Sequence, residues 1–392
     1  MKKILFDLTK TQPVNGSKYH GGGKYGKVVF KKLVEIAPEK IAAYYDSDKY
    51  IDESILELCH KNNIPTIKKC EYSILDAAKK YGSLLYSPLM DPAYLKDSSV
   101  HIIVTIHGLR VLEMPYDDYE IFYSDKYSVI KRLFSKTKLF KFLLAKKRNQ
   151  DYKKDLYQKR IIFSRNNFSF ITVSNHSKYS LLTFIPNLDA EKLKVFYSPS
   201  TIDDSIPLDK YENPYGKYYL IVSGDRWMKN GMRAIIALDE LFTEHPEIKG
   251  NVVVTGIKQK TKLSIDIKNK NRFIFVGYVN EYQLKGLYHC AYLLIYPSLN
   301  EGFGYPPLEA MHEGCPVIAS AIASIPEVCG DSVMYFNPYS ISEMKMRVMQ
   351  MEDECTRQDY IKKGFERQNA IQQKQDKDLF AIANYILSFI KK

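Results

Sequence analysis

At 392 residues the chain is longer than one hydrophobic core ordinarily serves, so two domains are expected, and 45% hydrophobic with 26% charged residues is the balance of a globular protein. No apolar run approaches the roughly 20 residues that span a bilayer, and residues 1–8 hold two lysines and only a strand-length apolar stretch, which excludes a secretory signal and points to the cytoplasm. The net charge of +12 favours an acidic partner (nucleic acid, anionic lipid or a diphosphate), while six scattered cysteines (Cys59, Cys70, Cys290, Cys315, Cys329, Cys355) lack any C-x2-C pair and indicate neither a zinc site nor a disulfide framework.

An opening strand over residues 3–8 leads through a polar loop to Gly21, Gly22 and Gly23, and an amphipathic helix is expected over 24–36. The stretch GGGKY does not complete a dinucleotide fingerprint, since G-x-G-x-x-G is unfinished and no acidic residue follows a second strand at a convincing position. Short strands and helices then alternate at 41–45, 51–60, 66–68, 72–79 and 83–87, the pattern of a parallel sheet covered on both faces. Asp46 and Asp48 form a D-x-D, a spacing that holds a divalent metal in other proteins; here the pair reads as the start of the next helix. Residues 101–106 are a β-branched run suited to a buried parallel strand. It ends in His107 and Gly108, where a polar side chain faces the ligand crevice of an open α/β sheet.

Residues 126–165 are rich in lysine and arginine, interleaved with Leu133, Phe134, Leu139, Phe140, Phe142, Leu143 and Leu144. Such a stretch either lies on an anionic membrane or is a solvated helical face whose apolar side packs on the core. A strand at 170–173 is followed by Ser174, Asn175 and Ser177 at a helix start, and 193–197 completes the first sheet. Residues 199–216 have turn residues and no periodicity, so the hinge is placed there.

A second alternating set begins with a strand at 218–222. It runs into SGDRWMKNG, which holds Arg226, Lys229 and Asn230, ahead of a helix over 232–244. Strands follow at 251–256 and at 272–278, the latter containing Gly277, and a helix at 281–289. A hydrophobic strand at 291–296 then enters a loop holding Gly302 and Gly304, after which Pro306 and Pro307 open a helix. The glycines allow positive φ and close approach, and the amides around Phe303, Gly304 and Tyr305 would face an anion at the positive helix end. Glu301 and Glu309 bracket this cradle, and carboxylates accept hydrogen bonds from sugar hydroxyls. A ligand with phosphate in the middle and hydroxyl-bearing rings at both ends is a nucleotide-sugar. Strands at 316–320 and 332–336 follow. A terminal helix over 378–390 carries Leu379, Ile382, Ala383, Ile386, Leu387 and Ile390 on one stripe.

The two glutamates, with seven residues between them, are followed by EAMHEGCPVIAS and IPEVCGDSVMYFNP. Together they closely resemble glycosyltransferase family 4, retaining enzymes of the GT-B fold, densely over residues 218–338 and more thinly over 1–199. The resemblance implies two Rossmann-like parallel-sheet domains facing a central cleft: 1–200 for the acceptor and 201–375 for the donor, with residues 376–392 returning to the first. It implies that GGGKY, with Gly22 and Gly23, helps receive phosphates and acceptor, with Lys24 where the family has arginine. His107 would stand near the donor sugar, Gly108 occupying the place of the family's aspartate. Lys229 and Asn230 match the pair that clamps the diphosphate; Met228 stands where a second cation is common, and Arg226 supplies that charge from two residues earlier. Gly277 falls at the nucleobase pocket, Glu301 would bind the sugar and Glu309 the ribose.

No metal or other cofactor is implied. The expected partners are a nucleoside-diphosphate sugar and a glycan or lipid-linked acceptor of bacterial surface polysaccharide synthesis, with an anionic membrane surface as a further candidate. GGGKY, the KN pair and the TIHG strand resemble the mannosyltransferase branch, hence GDP-mannose, with a UDP-hexose or UDP-N-acetylhexosamine as the alternative. Two readings of another class remain: a nucleic-acid-binding protein, for which the chain has no signature beyond charge, and a non-catalytic sugar-binding relative, against which the intact glutamate pair argues.

Overall fold

The computed structural model describes residues 2–13, 21–114, 117–123, 137–257 and 265–390. Its strands are short, and the central ones are apolar and buried on both faces, as parallel strands covered by helices must be. The first sheet is made of β1 (Ile4–Asp7), β2 (Ile41–Tyr45), β3 (Thr66–Lys68), β4 (Leu84–Ser87), β5 (His101–Ile106), β6 (Phe168–Thr172) and β7 (Leu193–Val195). All pairs are parallel, in the order β3-β2-β1-β4-β5-β6-β7. The second contains β8 (Tyr218–Ile221), β9 (Asn251–Thr255), β10 (Phe273–Gly277), β11 (Leu293–Tyr296), β12 (Val317–Ser320) and β13 (Met334–Phe336), parallel throughout in the order β10-β9-β8-β11-β12-β13. In both sheets the strand order reverses beside the first strand, between β1 and β4 and between β8 and β11. Ligands of open α/β sheets bind at the carboxyl ends of strands flanking such a reversal.

The chain forms two compact units. One is Met1–Leu109, Leu156–Thr201 and Gln372–Lys392; the other is Arg110–Asp155 and Ile202–Ile371. Residues 110–155 therefore leave the first domain, where the sequence places them. The reason is a buried ion pair: Arg233, on the helix Gly231–Glu244, donates from both terminal nitrogens to Asp117 at 2.5 and 3.0 Å. The Trp227 indole donates to the same carboxylate at 2.8 Å, the Arg233 guanidinium lies over the Tyr119 ring, and the Met232 amide donates to the Tyr123 hydroxyl.

Three further expectations are corrected. The terminal helix is one element, Glu354–Ser388, that begins in the second unit and ends in the first. Gly364 lets it approach Met311 in the second unit, and Gln375 and Asp378 bond the backbone at Ser198 and Tyr197 in the first. Asp46 and Asp48 do not open a helix. They sit in a turn where Lys69 Nζ meets Asp46 at 2.9 Å, and the next helix starts at Glu53 behind an Asp52 cap. The first helix is Gly21–Ile36 and includes the glycines, because a Cβ at Gly22 would collide with the Leu89 side chain at 2.8 Å.

Of the basic stretch 126–165, residues 126–136, with Leu133 and Phe134, lie outside the described residues, and Lys138–Ser164 is a single helix. Its two ends differ. Phe163 is buried against Phe170, whereas Phe142 and Leu143 are 65% and 52% exposed. Among the described residues no helix is long and apolar enough to cross a membrane.

Candidate functional site

The second unit gathers its predicted residues, Gly277 apart, at its strand-order reversal. After β8 the chain makes a short turn, Trp227–Lys229, then Asn230 takes the left-handed conformation (φ 55°) and the helix Gly231–Glu244 begins. After β11 come Pro297 to Gly304, and the two loops are laced together. The Leu299 amide donates to the Met228 carbonyl, and the Ser298 hydroxyl lies 3.2 Å from the same oxygen. The Asn230 amide group donates to the carbonyls of Pro297 and Pro338 and its oxygen accepts from Arg233, so this side chain ties three loops together.

At the centre lies a buried ion pair, Lys229 Nζ to Glu301 Oε1 at 2.5 Å. Ser298 donates to the same carboxylate oxygen, and the Tyr296 hydroxyl lies 3.3 Å from the ammonium. Burial alone would push the Glu301 carboxyl up, but the charges of Lys229 and Arg110 outweigh it and hold the group at about 2. Burial draws Lys229 below the ordinary lysine value, only partly opposed by Glu301. A carboxylate fixed in its charged form is a permanent acceptor. Arg226 is exposed at the rim and donates to Ser223.

The loop from Glu301 to Gly304 is held from beneath, the Ser324 hydroxyl bonding the carbonyls of Glu301 and Phe303. Phe303 is buried and packs on Tyr305, so it anchors the loop. Gly304 has φ 102° with nothing within 4 Å of where a Cβ would stand, so the backbone conformation demands glycine, not the space around it. It caps the helix Tyr305–His312, which has no side-chain cap and carries proline in its first turn. One turn on, Glu309 accepts from the Tyr288 hydroxyl at 3.1 Å. Gly277 ends β10 with φ 69°; the next residue, Tyr278, is 70% exposed and its hydroxyl meets Asp225 at 3.2 Å.

In the first unit, Gly22 and Gly23 lie in the first turn of the helix Gly21–Ile36, and His107 follows β5. The His107 Nε2 is 2.9 Å from the Pro88 carbonyl, which can only accept, so that nitrogen carries a proton. The ring stands edge-on to the buried Tyr25, whose hydroxyl meets those of Thr105 and Tyr86. This unit thus sets the imidazole in one orientation at the end of its strand.

Sequence reading missed several participants. Ser298 and Ser324 precede and follow the glutamate loop, and their small hydroxyls give no signal in a single sequence. Arg110, whose charge reaches both Glu301 and Lys229, sits on a one-turn helix that no periodicity marks.

Residues 208–367 match the family described as Glycosyl transferases group 1. The O-antigen chain mannosyltransferase RfbU of Salmonella typhimurium is 31% identical over 156 residues, which cover 39% of this chain and 42% of that one. The O-antigen chain mannosyltransferase B of Escherichia coli is 27% identical over 202 residues, covering 48% and 52%. The chain thus spans about half the length, or less, of these curated relatives. A sucrose-phosphate synthase from Thermosynechococcus elongatus superposes over all of both chains with a TM-score of 0.69 at 14% identity, a likeness of fold.

Proposed function

We propose, from the premise that residues 208–367 form a glycosyl transferases group 1 domain in a chain with the GT-B fold, that the protein is a retaining glycosyltransferase. It moves a hexose from a nucleoside-diphosphate sugar to an acceptor hydroxyl. The observation that carries this reading is the buried Lys229–Glu301 pair at the strand-order reversal, beside a glycine loop that opens an uncapped helix. It offers a cation and a helix terminus for phosphates and a fixed carboxylate for sugar hydroxyls. Glu301 binds the sugar, Glu309 the ribose, and the loop after Gly277 the base. Asn230 keeps the phosphate loop in place through its three backbone and side-chain bonds.

In this reading the bond between the sugar C1 and the diphosphate oxygen breaks ahead of attack by the acceptor hydroxyl on the same face. The hydroxyl proton passes to the departing phosphate oxygen. Arg226, Lys229 and the amides near Gly304 stabilise the charge gathering there, about 3 kcal/mol for each well-aimed donor.

GDP-mannose is the donor we favour, supported by the two mannosyltransferase relatives. The acceptor is a glycan or lipid-linked glycan of surface polysaccharide, and the exposed Phe142 and Leu143 on a basic helix support contact with an anionic membrane. Thermal-shift titration with GDP-mannose, UDP-glucose and UDP-N-acetylglucosamine tests the donor. GDP-mannose should give the largest rise in Tm; a rise with a UDP-sugar alone replaces the donor, and no rise with any contradicts the reading.

A further inference from the structure

We propose that Arg110 binds the donor diphosphate, as a cation added beside the Lys229–Glu301 pair. This rests on the glycosyltransferase reading above and adds a residue to it. Arg110 opens the one-turn helix Arg110–Glu113, which Leu112 anchors by burial while Arg110 itself stays exposed. That turn is pinned to the glutamate loop, for the Asn300 amide group donates to the Glu113 carboxylate, and Asn300 is the residue before Glu301. Arg110 is thereby fixed in the neighbourhood of the Lys229–Glu301 pair, and its charge acts on both members.

The charges already present make its presence consequential. Lys229 is in contact with Glu301 and is balanced by it, Arg226 directly follows Asp225, and Glu309 adds a further carboxylate. These groups alone offer a doubly charged diphosphate no net attraction, and Arg110 adds a cation to them. Its guanidinium is also the group suited to the task, since its planar fork can engage two phosphate oxygens at once, which an ammonium cannot. The contact is to phosphate, common to every nucleoside diphosphate, so the base is read elsewhere.

The test is calorimetric titration of the full chain and of Arg110→Ala and Arg110→Lys with GDP, UDP, GMP and UMP. Arg110→Ala should weaken GDP and UDP alike, by about tenfold or more, the scale of a charge-assisted phosphate contact. The preference for diphosphate over monophosphate should narrow, and Arg110→Lys should fall between. Arg110 is exposed, so the free variants should stay folded and melt cooperatively. Wild-type affinity for GDP and UDP in Arg110→Ala overturns the inference and leaves the glycosyltransferase reading standing. A loss confined to one base also overturns it, by making Arg110 a base contact. If the unmodified chain binds neither diphosphate, the glycosyltransferase reading falls and the inference with it.

Discussion

The Lys229–Glu301 pair is where sequence, stability and proposed chemistry meet. Replacing Lys229 by alanine strands a buried carboxylate, a change that costs about 3–5 kcal/mol when one partner of a buried pair is lost. Urea melts of Lys229→Ala should show a loss on that scale, and a loss under about 1 kcal/mol, the worth of an exposed pair, would show that the pair is effectively solvated. The pair also has a pH signature. In the unfolded chain Glu301 takes up its proton near the ordinary 4.5, but in the folded protein it resists until about 2. Its contribution, on the order of 3 kcal/mol, is complete above pH 4.5 and is lost as pH falls toward 2. Glu301→Gln should flatten that part of a stability-versus-pH curve measured by denaturant melts.

The two glutamates should separate in function. Glu309→Ala should weaken binding of free GDP or UDP, whereas Glu301→Ala should chiefly lower turnover; equal loss of nucleotide affinity in both would end the division of roles. Gly304→Ala tests the loop: with no atom near the missing Cβ, its cost is the positive φ, about 1–2 kcal/mol. These residues were legible because glutamate, glycine and proline at fixed spacing have one economical use at a strand end. Arg110 and Ser298 were not. Their importance comes from neighbours more than 100 residues away for Arg110, and from a single hydroxyl for Ser298, and neither leaves a local pattern.

At the scale of elements, the alternation of strand and helix was readable because each strand is a short apolar run closed by a turn. The helix Glu354–Ser388 was harder to read, since the one face it buries is not apolar throughout. Ile371, Ile382 and Ile386 are buried, but Gly364 and two buried glutamines, Gln368 and Gln375, interrupt the apolar periodicity. The segment 110–155 was misassigned for a related reason, as its attachment depends on the buried Asp117–Arg233 pair and not on a hydrophobic stripe. Asp117→Ala should therefore destabilise the second unit by about 3–5 kcal/mol in denaturant melts, an effect absent if the segment were merely draped on the surface. The helix Lys138–Ser164 carries the membrane proposal. Vesicles with anionic lipid should co-sediment the protein at low salt, and changing Lys146, Lys147 and Arg148 to glutamate should abolish this. Binding indifferent to both salt and those changes would favour a soluble acceptor.

For the whole molecule, two parallel sheets with the same reversal of strand order define where ligands should sit; Arg226 and Lys229 after β8 and the Glu301–Tyr305 loop after β11 flank the reversal of the second sheet, while Gly277 ends its edge strand β10 and His107 follows β5 in the first. The donor site proposed for the second unit already holds carboxylates, cations and a helix terminus. Activity should accordingly survive EDTA, and a strict need for manganese or magnesium, abolished by Asp46→Ala or Asp48→Ala, would contradict that design. The central claim is that this chain transfers sugar from a nucleoside diphosphate at the Glu301–Lys229 site. It is tested most directly by following release of nucleoside diphosphate from GDP-mannose, UDP-glucose and UDP-N-acetylglucosamine, with vesicles bearing a lipid-linked glycan, for the wild type and Glu301→Gln. The account predicts release from one donor, GDP-mannose, matched by sugar gained on the acceptor and suppressed at least a hundredfold, or about 3 kcal/mol, in a folded Glu301→Gln. Undiminished release in Glu301→Gln, or none from any donor in the wild type, would contradict it.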